Sequence, residues 1–407
     1  MAKPLKTKSR WQLGTLAPVV LILVAAADVA LRFLPMDFVS FRAWEAMEFN
    51  RVEGVPFQAS KVYHGSRCFG DLANMGNLPA QRHYRAETFT SDRYGFRNPP
   101  EMADGPAPEV LLMGTSYSVG AGVNDDETLS AQLGRLAQCR VYNAAGSLVK
   151  TPEEIRSLAQ RLHMKSGIVI YEFLEGHFVY PEFQDFLKKQ YPWLVRPPPP
   201  EAPKPVIDRV LLRVGGTNLL ATWQPLSISR LQIVSQQLYR KLENDRFLPN
   251  PKRADILVKK LSNGEEMLFE PWEAVMDQQP RDPSWAAPYW SWLAQELRKD
   301  NLALLVLLVP QKYTIYKPLL QEPAPPAVEP TGYLERIEAE LRKAGVPVVN
   351  LTAPISAEAR ARLAHGETIY FPDDSHWNAA GISIAAQVIT NVFAKPAPAG
   401  ATPAAHP

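Results

Sequence analysis

The chain reads as an α/β protein built on one mostly parallel sheet, and three observations carry that expectation. Short apolar runs recur, each followed by a stretch with helical spacing. Most of these runs end in glycine or other turn residues. The chemistry-bearing side chains gather just past the runs, where open sheets of this class keep their sites.

The elements follow in order. Residues 109–113 (EVLLM) form a buried strand closing on Gly114, and 129–136 has helical periodicity. A second strand, 140–142, runs into the turn Asn143-Ala144-Ala145-Gly146. The helix over 152–162 starts with Thr151 as N-cap and Pro152 at its first position. Residues 168–173 are the third strand. A helix over 288–299 precedes 302–309 (LALLVLLV), the clearest strand in the chain. A helix over 333–344, a fifth strand at 346–351 and a closing helix at 378–392 complete the alternation. Such an alternation implies right-handed crossovers and a mostly parallel sheet. It breaks only between about 180 and 285, where an aromatic-rich, proline-interrupted stretch reads as an insertion over one sheet edge.

At the N-terminus Lys3, Lys6, Lys8 and Arg10 precede an apolar run that covers 13–27 and resumes to 34. Positive charge before such a run predicts a cytoplasmic N-terminus and an exported remainder. Ala25-Ala26-Ala27 resembles a signal-peptide cleavage site. An uncleaved transmembrane anchor is the preferred reading, because a span takes about 20 residues and the run to 34 supplies them. The expected division is a cytoplasmic tail (1–10), an anchor (11–35), a membrane-proximal segment (36–84), the α/β domain (85–395) and a disordered Ala/Pro tail (396–407).

Composition narrows the function. Lys and Arg number 44 against 42 Asp and Glu, a net charge of only +2, so nucleic acid is a poor partner. No Cys/His cluster has metal-ligand spacing. Cys68 and Cys139 are either a disulfide in an oxidising compartment or two separate thiols.

Two segments at strand ends carry the chemistry. Gly114-Thr115-Ser116-Tyr117-Ser118 presents a serine after a buried strand; it either caps a helix or acts as a nucleophile, which needs an adjacent base. Late in the chain, Asp373-Asp374-Ser375-His376-Trp377 sets carboxylates two and three residues before a histidine, able to orient its imidazole. Trp285, Tyr289, Trp290 and Trp292 read as core at helical spacing, with sugar stacking as the rival. Glu175 and His177 read as a structural pair.

These two motifs together resemble the SGNH-hydrolase-like domain of the bacterial polysaccharide O-acetyltransferases, the alginate acetylation type. Residues 90–98 (TSDRYGFRN) and 309–316 (VPQKYTIY) resemble further segments of exported SGNH proteins and of the acetyltransferases. The likeness covers about 85–180 and 285–395, and it implies an SGNH/flavodoxin-like three-layer sandwich. It implies an acyl-enzyme on Ser116, with His376 as base and then acid. Asp374 would orient His376 by the Asp-x-His pattern, and Asp373 is the alternative by the Asp-x-x-His pattern of ordinary SGNH esterases. The oxyanion hole would use the N–H groups of Ser116 and Gly146. Tyr117, Lys312, Tyr316 and Trp377 are the expected substrate-binding residues, although a lysine at a strand end is more commonly just surface. Two features depart from the pattern. The Gly-x-Asn-Asp block after the third strand is replaced by 171–177 (YEFLEGH), and the Asp-x-His motif follows the serine instead of preceding it.

The function so implied is transfer of acetyl to an exported polysaccharide, without metal or diffusible cofactor. The donor would come through a multi-spanning membrane acyltransferase, and the domain would sit in the periplasm on the bacterial inner membrane. A carbohydrate esterase and a catalytically silent scaffold are the alternatives.

Overall fold

A computed structural model describes residues 9–31, 40–48, 56–146, 150–177, 189, 255–329 and 331–394. The chain divides into two units. Of the first, helix α1 (Ser9–Leu31) is described; it contains Pro18 and exposes Leu21, Ile22 and Leu23. Among the described residues no helix is long and apolar enough to cross a membrane, so the expected anchor at 11–35 is not found there.

The second unit holds the remaining described elements. Its strands are β1 (Val62–Cys68), β2 (Arg85–Thr90), β3 (Val110–Met113), β4 (Val141–Asn143), β5 (Gly167–Leu174), β6 (Leu257–Lys260), β7 (Glu266–Phe269), β8 (Leu302–Val309) and β9 (Val348–Asn350). Its helices are α2 (Ala43–Glu48), α3 (Asp71–Met75), α4 (Pro100–Asp104), α5 (Ser116–Val119), α6 (Leu129–Ala137), α7 (Pro152–Arg161), α8 (Pro271–Met276), α9 (Ala286–Arg298), α10 (Lys312–Tyr316), α11 (Tyr333–Lys343), α12 (Thr352–Leu363) and α13 (Ala379–Ala394).

Five strands in the order β4-β3-β5-β8-β9 make a sheet in which every pairing is parallel. Counted in chain order within the sheet this is 2-1-3-4-5, the flavodoxin-like arrangement. Alternate side chains face opposite ways along a strand, and both faces here are apolar. Leu111, Met113, Val169, Tyr171, Val306 and Leu308 pack with α7, α9 and α11 on one side. Leu112, Ile170, Leu305, Leu307 and Val349 pack with α6, α10, α12 and α13 on the other. The three-layer sandwich follows from that double burial.

Several expectations change. β1, placed in the membrane-proximal segment, pairs antiparallel with β2 across the expected boundary at 85, matching Tyr63 to Phe89. The end of the presumed insertion is a β6–β7 hairpin and α8, and Leu268 N–H ties it to the Pro372 carbonyl at 2.9 Å. The rest of that insertion and the Ala/Pro tail lie outside the described residues. Trp285, Tyr289 and Trp290 are buried core, as their helical spacing implies. Cys68 and Cys139 are separate free thiols, and burial pushes Cys68 up to about 12.

Leu307 in central β8 is fully buried. Leu307→Ala should therefore cost roughly 2–5 kcal/mol, read as a lower urea midpoint at unchanged slope.

Candidate active site

Ser116 opens α5 directly after β3, at the carboxyl end of the sheet. Its neighbours in β3 and α5 are buried while Ser116 itself is partly exposed. A buried carboxylate holds this turn. Glu172, in β5, accepts the Thr115 hydroxyl on Oε1 at 2.6 Å. Its Oε2 accepts the backbone N–H groups of Thr115 at 3.1 Å and Ser118 at 2.9 Å. Gly114 makes that approach possible, because a Cβ there would sit 2.4 Å from Glu172 Oε2. Burial raises the Glu172 carboxyl, opposed by the hydrogen bonds from Ser118 and Thr115. Glu172 thus occupies the segment where the expected Gly-x-Asn-Asp block is missing. The sequence signal was a charged residue inside a strand buried on both faces, which needs partners.

The second half of the site is the loop before α13. Lys312, at the start of α10, donates from Nζ to three of its carbonyls: Phe371 at 2.7 Å, Pro372 at 3.1 Å and Asp374 at 2.9 Å. The Tyr117 hydroxyl donates to the Ser375 carbonyl at 2.7 Å, and Trp377 Nε1 donates to the Tyr117 carbonyl at 3.1 Å. The serine helix and the histidine loop are thereby locked together.

His376 Nε2 then lies 2.7 Å from Ser116 Oγ, and His376 Nδ1 lies 2.6 Å from Asp374 Oδ1. Asp374 is fully buried, and its other oxygen meets Arg85 at 3.1 Å, Arg42 at 3.3 Å and the Asp71 N–H at 3.1 Å. Burial pushes Asp374 upward, but His376, Arg42 and Arg85 outweigh it and hold the carboxyl well below its ordinary range. Asp373 serves a different purpose. It accepts the N–H groups of Gly70 at 2.7 Å and His83 at 2.9 Å and pairs with Arg85 at 3.0 Å, fastening the histidine loop to residues 70–85.

Two acids near His376 went unread in the sequence. Asp71 binds the Ser375 N–H at 2.8 Å and hydroxyl at 2.7 Å, and it lies 3.6 Å from His376 Nδ1. Glu270 is raised to about 7 by burial, with Asp71 adding and His376 opposing. Among the described residues, Asp71, Asp374 and His376 bring ligand atoms within 4.8 Å of one another, a spacing a cation could use. The 2.6 Å contact of His376 with Asp374 is instead a hydrogen-bond distance, and Arg42 and Arg85 already balance the carboxylates.

The expected substrate-binding residues lie elsewhere than in a cleft. Lys312, Tyr316 and Trp377 are fully buried and Tyr117 nearly so. Tyr316 accepts the Ile369 N–H on its hydroxyl at 2.9 Å, as part of the core. Burial is affordable for Lys312 because three carbonyls surround its ammonium. The Gly146 N–H, expected in the oxyanion hole, donates to the Gly114 carbonyl at 2.9 Å and is already engaged. Glu175 pairs with Arg281 at 3.0 Å, and the His177 ring accepts the Leu174 N–H at 3.3 Å.

The two aspartates separate by experiment. Asp374→Asn should lower kcat on the order of 10⁴-fold, the effect of losing the carboxylate that sets a triad histidine. Asp373→Asn should instead cost stability, about 1–3 kcal/mol, with kcat largely kept. Because the Asp374 pKa is depressed on folding, its stabilising share is present above the ordinary carboxylate range and lost as pH falls through the folded value. Urea unfolding of wild type and Asp374→Asn should therefore differ most near neutral pH and converge in acid. Glu172→Leu would leave the Thr115 and Ser118 N–H groups without this acceptor; it should cost about 1–3 kcal/mol and lower kcat with little change in KM.

No curated protein and no solved structure matches the chain. A family model does: residues 266–406 match the SGNH hydrolase-like domain, acetyltransferase AlgX. The match includes Lys312, Asp374 and His376 and begins well after Ser116, which the fold brings to them. Residues 266–406 are thus similar to the SGNH hydrolase-like domain that the serine and histidine motifs resemble, which supports an acyltransferase or esterase.

Proposed function

We propose that the protein is a serine-dependent O-acetyltransferase that acts on an exported polysaccharide through a Ser116 acyl-enzyme. The observation that carries this is the continuous chain Asp374–His376–Ser116, with contacts of 2.6 and 2.7 Å. Ser116 Oγ attacks the acetyl carbonyl carbon of the donor ester while its proton passes to His376 Nε2. The donor C–O bond breaks, and His376 returns the proton to the departing alkoxide. A sugar hydroxyl then gives its proton to His376 and attacks the acetyl carbon. The new ester leaves, and Ser116 Oγ takes the proton back. The Ser116 N–H, in the first turn of α5 where no intrahelical acceptor exists, supplies one oxyanion donor.

The basic residues before α1 and the apolar character of that helix support a location outside the cytoplasm, the bacterial periplasm, with α1 as the export signal. In that compartment an activated acetyl donor has to be handed across the membrane, so a multi-spanning acyltransferase is the partner we infer. The polysaccharide is the acceptor.

The test is to incubate the full chain with a chromogenic acetyl ester, with and without a panel of glycan oligomers, and to follow acetate by mass spectrometry. Serine-dependent acetyl gain on an oligomer, with an acetylated Ser116 peptide trapped on the way, is the expected result. Hydrolysis alone, across the whole panel, would make the protein an esterase. Ser116→Ala retaining turnover would overturn the acyl-enzyme.

A further inference from the structure

We propose that residues 41–47 complete the catalytic site, with Arg42 as a positioning residue that acts on His376 through Asp374 and Asp71. This rests on the Ser116–His376–Asp374 reading above.

Arg42 is almost fully buried, and its guanidinium spans three carboxylates. NH1 lies 3.3 Å from both Asp374 Oδ2 and Asp71 Oδ2, while Nε lies 2.9 Å from Glu45 Oε2. The backbone around it is built in. Phe69 N–H donates to the Phe41 carbonyl at 3.2 Å, the Ala43 N–H donates to buried Glu87 at 3.0 Å, and Gln58 N–H donates to the Met47 carbonyl at 2.9 Å. Ala43, Ala46 and Met47 share a core with Phe57, Phe89 and Val119, the last residue of the serine helix.

The arrangement solves a problem at His376. Two carboxylates stand near its Nδ1, Asp374 at 2.6 Å and Asp71 at 3.6 Å, and only one can orient the ring correctly. Like charges so close repel, and a buried ion without a partner is costly. Arg42 binds both at once on their Oδ2 atoms. Asp374 Oδ1 is thereby left for the imidazole, and Asp71 is kept at a distance. Arg85 reaches Asp374 but has no contact with Asp71 among the ion pairs of the described residues. Arg42 is therefore the cation that ties the pair together.

The charged and titratable groups facing His376 come from several elements: Asp374 from its own loop, Asp71 from α3, Glu270 before α8, Arg42 and, through Asp374, Arg85 from β2 and Lys312 from α10. Removing one positive charge from this set makes the imidazolium easier to form. In Arg42→Ala, His376 should thus titrate at higher pH than in wild type, and the acid limb of kcat/KM should move the same way. A loosened Asp374 should also lower kcat by about 10-fold to 100-fold with KM little changed, the scale of a small catalytic misplacement. Arg42→Lys, which keeps the charge, should restore the titration while recovering only part of kcat.

The experiment uses the full chain with its histidines isotopically labelled, following the His376 ring by NMR against pH, alongside ester turnover. A folded Arg42→Ala protein with unchanged His376 titration and unchanged kcat overturns the proposal. So does an Arg42→Lys protein whose titration matches that of Arg42→Ala. Should Arg42→Ala fail to fold, Glu45→Gln takes its place: it frees the guanidinium from its competing carboxylate and should move the His376 titration downward, and no movement overturns the proposal. The NMR reading does not need turnover. Loss of Ser116-dependent activity in the wild type would sink the acyl-enzyme, and the NMR titration would still decide the part played by Arg42.

Discussion

A single buried negative charge, on Asp374, organises the catalytic half of this molecule. Taking a carboxylate out of water costs several kcal/mol unless charge and hydrogen bonds replace what is lost. Here the replacements come from far apart in the chain: Arg42, the backbone of Asp71, Arg85 and the His376 ring. Meeting that one requirement draws together residues 41–47, the β1–β2 region and the loop before α13. Lys312 meets the complementary need on the same loop, occupying carbonyls that would otherwise be buried without donors. The loop carrying His376 is consequently held on both sides, and the imidazole reaches Ser116 from a fixed frame.

The nucleophile side uses a second buried acid in the opposite electrostatic setting. Glu172 is bonded by two N–H groups and a hydroxyl, all neutral donors, and burial raises it. Asp374 is bonded by cations and is held low. Environments that push two carboxyls apart in this way commonly mark a division of labour. The low-lying Asp374 stabilises an imidazolium as it forms. Glu172, in no ion pair among the described residues, fixes the backbone of the turn from which Ser116 projects. Neither acid needs to touch substrate to govern where Oγ stands.

How much was legible in the sequence follows from range. The β8 run LALLVLLV was read to the residue, because a strand buried on both faces is apolar throughout and needs no distant information. Ser116 and His376 were legible because strand ends in an alternating fold converge on one edge. The β1–β2 and β6–β7 hairpins were missed: VYHGSRC and LVKK carry half-exposed polar residues, and the alternation is too weak to show a strand until its partner is known. Arg42, Asp71 and Glu172 were missed for a related reason. A buried polar contact has no period: the ion-pair partners of Arg42 stand up to 332 residues away, and the donors to Glu172 come from another strand's end. Lys312, expected to line the acceptor cleft, was misread by the same blindness, since what balances its burial is a set of backbone carbonyls from another loop.

On the proposed acyl-enzyme route, the choice between a sugar hydroxyl and water as acceptor does not reside in the triad, whose members do the same work in either case. Ser116 is partly exposed whereas His376 and Asp374 are buried, so the reacting edge is the only part of the triad that an acceptor can reach. The aromatic and basic side chains expected to line that edge, Tyr316, Trp377 and Lys312, are committed to the core. Selection must then fall to groups around the mouth that face the imidazole without holding it. Glu270 is one group whose charge is felt by the imidazole. It is partly exposed, and burial raises its carboxyl to about 7, with Asp71 and Asp374 adding and His376 opposing. A carboxyl in that state can accept a hydrogen bond from an incoming hydroxyl or donate one to a ring oxygen. Acceptor preference is therefore better sought around Glu270 than in the residues that make Ser116 reactive.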